Sequence, residues 1–114
     1  MTKPRLLAAA VGVAAALSLA GASPAVAATC KPGKYPGQGY FTSLKVTNIS
    51  CSGGRDVMRA HYRCRTKHGI KGRCPSFNGW RCTETRNAIA TEYNARVTCR
   101  KGSRKVVYTY QQNT

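Results

Sequence analysis

Acidic residues are almost missing from this sequence. Asp56, Glu84 and Glu92 stand against 19 lysines and arginines, for a net charge of +16 over 114 residues. The shortage leaves Asp56, Glu84, Glu92, His61 and His68 as the only acid–base groups of ordinary catalysis, and no spacing pairs them. The six cysteines are separated by 20, 12, 9, 7 and 16 residues. None of these gaps is the short C-x2-C step of a zinc site, so no metal is expected. No apolar run reaches the roughly 20 residues that cross a bilayer. The longest, Leu6 to Ala20, has 15. No twin arginine precedes it, and Ala22 stands where a lipoprotein would carry cysteine. There is no internal repeat.

What is present begins with a targeting pattern. Lys3 and Arg5 are followed by the apolar run, a Gly-Ala-Ser-Pro break and Ala25-Val26-Ala27-Ala28. Charge, apolar stretch and small-residue cleavage site come in secretory order, so residues 1–28 are expected to be removed after Ala27 or Ala28. The remaining chain has 17 basic residues against three acids, a net charge of +14. That charge repels itself and favours any polyanion. An even set of cysteines in a short exported chain reads as three disulfides, each contributing about 2–4 kcal/mol. They would hold together a surface that otherwise pushes itself apart.

Residues 29–39, with two prolines and three glycines, are expected to form an irregular arm that only Cys30 ties down. From Tyr40 to Val46 the residues alternate as a strand, with Tyr40, Thr42, Leu44 and Val46 on one face. A helix is expected over 52–65, capped by Ser52, with Asp56 in its first turn. Its apolar face would be Val57, Ala60, His61 and Cys64, and it should stop by His68-Gly69. Asn78-Gly79 predicts a two-residue hairpin turn, which sets Pro75 rather than Cys74 opposite Cys82. A Cys74–Cys82 bond is nevertheless favoured by proximity, as one of 15 connectivities. Tyr93, Ala95, Val97 and Cys99 alternate on a further strand, Lys101-Gly102-Ser103 turns, and Val106, Tyr108 and Tyr110 alternate on the next. The expected fold is α+β: one helix packed on a small antiparallel sheet, stabilised by disulfides, with residues 40–114 as a single domain.

The stretch from Tyr40 to Cys51 (YFTSLKVTNISC) resembles the start of many small exported proteins of actinobacteria. So does Glu92 to Arg100 (EYNARVTCR), followed by a basic turn and Val106-Val107-Tyr108. The resemblance covers most of Tyr40 to Tyr110. It implies export and a single α+β domain, and it transfers no catalytic role. It also implies that Cys30 and Cys64 pair with each other, and Cys51 with Cys99.

The strongest candidate site is the basic surface. Arg55, Arg59, Arg63, Arg65, Lys67, Lys71 and Arg73 form one cluster along the helix and the loop after it. Arg96, Arg100, Lys101, Arg104 and Lys105 form a second on the final hairpin. Helical arginines four apart lie about 6 Å from one another along the axis, a spacing suited to a phosphate or carboxylate polymer. Tyr62, Phe77, Trp80, Tyr108 and Tyr110 would stack on nucleic-acid bases if exposed, and otherwise belong to the core. Trp80 alternatively serves as a surface anchor for a partner. His61 reads as a packed histidine, and Glu84 and Glu92 as ion-pair partners. The expected function is a secreted, non-enzymatic module for teichoic acid, acidic polysaccharide or nucleic acid, with no cofactor. The competing expectation is an enzyme inhibitor or antimicrobial that presents the loop Lys67 to Pro75 to an extracellular protein.

Overall fold

A computed structural model describes residues 25–114. The first 24 residues of the expected targeting segment lie outside the described residues. Six strands form one antiparallel sheet in the order β1-β2-β6-β5-β4-β3. They are β1 (Ala27–Cys30), β2 (Gly39–Thr47), β3 (Ser76–Phe77), β4 (Trp80–Ile89), β5 (Glu92–Lys101) and β6 (Arg104–Asn113). Helix α1 (Cys51–Arg65) packs on one face. The α+β expectation holds, with a larger sheet than foreseen.

Alternation builds the core. Tyr93, Ala95, Val97 and Cys99 of β5 are buried beside Val106, Tyr108 and Tyr110 of β6, and the intervening residues face outward. In β2 the alternation slips. A bulge between Phe41 and Ser43 inserts Thr42, so Phe41 is buried with Leu44 and Val46 while Tyr40 is exposed. One extra residue changes the phase of everything before it.

The helix also begins earlier than expected. Ser50, not Ser52, is the cap, and its Oγ accepts the Gly53 N–H at 3.0 Å. Asp56 therefore lies beyond the first turn. The buried stripe is Gly54, Val57, Met58, His61 and Arg65, which leaves Ala60 and Cys64 half-buried. Gly54 lets the helix approach β2 closely, since a Cβ there would meet Val46 Cγ1 at 2.5 Å. The helix ends at Thr66, whose hydroxyl donates to the Tyr62 carbonyl at 2.7 Å.

All three expected disulfide pairings are replaced. The bonds are Cys30–Cys51, Cys64–Cys74 and Cys82–Cys99. Asn78 and Gly79 turn with positive φ (48° and 83°) and set Phe77 opposite Trp80. Cys82 N–H then donates to the Pro75 carbonyl at 2.9 Å, so Cys74 is out of step with Cys82. Cys82 faces Cys99 directly across β4 and β5 and bonds to it instead. Cys30, at the end of β1, meets Cys51 at the start of the helix. Cys64 is 13 helical residues further on, about 20 Å away along the axis, and beyond reach of Cys30.

The arm is less irregular than expected. Thr29 and Cys30 belong to β1, as do Ala27 and Ala28 of the expected targeting segment. Beyond it, Tyr35 inserts its ring into the core. The ring lies edge-on to Phe41 and Tyr62, at 4.9 and 5.1 Å between centroids.

Candidate anion-binding interface

One helix covers one face of the sheet, so the basic residues divide between two opposite sides. On the helix side, Arg55, Arg59 and Arg63 face away from the core. Arg55 Nη1 donates to the Lys31 carbonyl at 3.1 Å, and Arg59 pairs with Asp56. Arg63, Lys67 and Lys71 are exposed, and Arg73 Nη1 donates to the Glu84 carbonyl at 3.2 Å.

Arg65 does not belong to the surface at all. It is 1% exposed. Its guanidinium lies 4.0 Å over the Tyr110 ring and donates to the hydroxyls of Tyr35 and Tyr93. Burial works against its charge, but the hydroxyls of Tyr110, Tyr35 and Tyr93 outweigh that effect, and its pKa is raised. The helical period brings position 65 onto the stripe of Val57, Met58 and His61, where a buried guanidinium needs the partners that the tyrosines supply.

Arg86 is held in the same layer. It pairs with the carboxylate of Glu84, donates to the carbonyls of Lys71 and Gly72 at 2.9 and 2.6 Å, and stacks 4.4 Å over the Tyr93 ring. Tyr110 donates its hydroxyl to the same carboxylate, and its own pKa is raised, first by burial and then by that bond. Glu84 is thus an ion-pair partner, as expected. His61 is fully buried, with Nδ1 against the Tyr108 hydroxyl and its pKa lowered to about 4 by burial.

Among the described residues no element covers the opposite face of the sheet, which is open. Residues out of phase with the core point there, and the strand register sets them in rows. Arg81 lies opposite Arg100, Arg100 opposite Lys105, and Lys105 opposite Thr47. In the next row Thr83 faces Thr98, Thr98 faces Val107, and Val107 faces Lys45. A third row runs from Thr85 through Arg96 and Thr109 to Ser43. Lys45, Arg81, Arg96, Arg100 and Lys105 have no ion-pair partner among the described residues, where the ion pairs are Arg59–Asp56 and Arg86–Glu84. Nor do their side chains hydrogen-bond to any of the described residues. Glu92, the one acid in phase with this face, stands near its far end opposite Ile89 and Asn113.

Shallow depressions lie between these rows. One is bordered by Ser76, Arg81, Thr83, Thr98 and Arg100, and another by Thr29, Ser43, Lys45 and Arg96. Of the second sequence cluster, the structure brings Arg96, Arg100 and Lys105 to this face. Arg104 is exposed beside the β5–β6 turn, and Lys101 donates to the Asn78 carbonyl at 2.9 Å. Lys45 and Arg81 were missed as site residues. Their signal is position: each occupies an outward phase of a strand.

The aromatic candidates go the other way. Trp80, Tyr108 and Tyr110 are buried, so Trp80 is no surface anchor, and Tyr62 and Phe77 pack against the core. Among the described residues no helix is long and apolar enough to cross a membrane. No protein-family model, curated protein or solved structure matches this chain.

Proposed function

We propose that this chain is exported and acts outside the cell as a non-enzymatic cationic module that holds anionic polymers. The observation that carries this reading is the open sheet face. Five cations project from one surface with no acid beside them to neutralise them, and a chain of phosphates or carboxylates supplies the missing charge. Helix cations Arg55, Arg59 and Arg63 add to the long-range field from the opposite side. The test is binding of the oxidised protein to immobilised teichoic acid, acidic polysaccharide and DNA across a salt series. The logarithm of affinity should fall steeply with the logarithm of salt concentration. Absence of binding near physiological salt sinks the reading.

A second reading has its own observation. The Cys64–Cys74 bond closes the loop that contains Lys67 to Arg73, and a closed loop binds a protein with little ordering cost. Such a partner would be retained at moderate salt and lost on reduction.

A further inference from the structure

Resting on the polyanion reading, we infer that its binding locus is the row of Arg81, Arg100 and Lys105 on the open sheet face, and that the ligand is a base-free polyol-phosphate chain crossing the strands. Directly opposed like charges destabilise an antiparallel sheet, and here three cations stand consecutively on β4, β5 and β6. A sheet that carries this cost without an acid nearby is matched by an external anion.

Adjacent strands lie about 4.8 Å apart, so the row offers one cation per strand over roughly 10 Å. Arginine grips phosphate oxygens with two parallel hydrogen bonds. The depression beside the row is walled by the hydroxyls of Thr83, Thr98 and Ser76, which pair with a polyol's hydroxyls or with further phosphate oxygens. Bases have no platform here. Tyr40 is the exposed aromatic of this face, and it stands in a row of Gln111, Asn94 and Asn87, three rows away from Arg100.

The experiment compares three ligands of equal charge number: poly(glycerol phosphate), oligo-deoxythymidylate and polyglutamate, at about 0.15 M salt. Three proteins are used: wild type, Arg81→Ser/Arg100→Ser and Arg55→Ser/Arg59→Ser/Arg63→Ser. Wild type should prefer the polyol phosphate. The sheet variant should lose about tenfold or more on it, with the salt slope falling by roughly two, although it removes fewer charges than the helix variant. The helix variant should lose less than about threefold. Both variants change exposed or half-exposed side chains, and an unchanged or raised melting temperature excludes misfolding. Equal losses in the two variants overturn the row while leaving polyanion binding intact. Equal wild-type affinity for all three polymers overturns the ligand class. No wild-type binding to any polymer overturns both this inference and the reading it rests on.

Discussion

On the covered face of the sheet the guanidinium groups of Arg65 and Arg86 are held by protein, Arg86 through all three of its nitrogens and Arg65 through two, while on the open face Arg81, Arg96 and Arg100 donate to none of the described residues. On β4, Arg86 points in and Arg81 points out. Inside, a guanidinium must be matched to stay charged, and the match comes from tyrosine rings and hydroxyls, the Glu84 carboxylate and main-chain carbonyls. Outside, water solvates each arginine and the fold demands no partner. The lesson is that a basic sequence holds two populations of arginine, one that holds the molecule together and one that is free to meet a ligand.

Substitutions in the two populations should separate sharply. Arg65→Ala is expected to cost about 3–5 kcal/mol in denaturant unfolding, through the cavity it leaves and the loss of its hydrogen bonds to the Tyr35 and Tyr93 hydroxyls. Arg96→Ala should change stability by less than about 0.5 kcal/mol. Similar values for the two would break the comparison.

The covered face should also respond to pH through His61. The folded protein keeps this residue unprotonated down to about pH 4, whereas its ordinary pKa is 6.5. Stability is therefore complete above pH 6.5, declines as the pH drops from there towards 4, and is level below. The loss is on the order of 3 kcal/mol, and His61→Gln should flatten it in equilibrium unfolding across that range.

Opening the Cys64–Cys74 bond with paired serines should cost somewhat less than about 3 kcal/mol, as suits a closure of sequence separation 10. It should leave binding to a phosphate polymer unchanged. Loss of polymer binding would move the site from the open face to the closed loop.

The smallest effect has the opposite sign. Arg100→Thr removes the middle cation of the opposed row and should stabilise the free protein by about 0.2–1 kcal/mol at low salt. The gain should fade at high salt, as melting curves at two ionic strengths would show.

Much of the sheet was legible in the sequence because strand alternation is local. Tyr93 to Cys99 and Val106 to Tyr110 show their buried phase directly, and Asn78-Gly79 announces its turn. The β2 bulge was not legible, since nothing within Tyr40 to Val46 reveals that Thr42 is an extra residue opposite β6. Nor was the burial of Arg65 and Tyr35, because each depends on tyrosines that arrive from β5 and β6. The candidate site was legible in composition and half legible in position. Arg96, Arg100 and Lys105 stood in an outward phase, but their alignment with Arg81 and Lys45 follows from the strand order.

By itself, then, the sequence determined the charge, the even set of six cysteines, the α+β character and the inward phase of the last two strands. Those properties depend on residues counted or spaced along the chain. Only the tertiary structure decided which cysteines meet, which arginines are buried and which cations share a row. Each of these requires segments far apart in sequence to be neighbours, as when β6 enters between β2 and β5, and that neighbourhood is set by the packing of the whole sheet against helix α1.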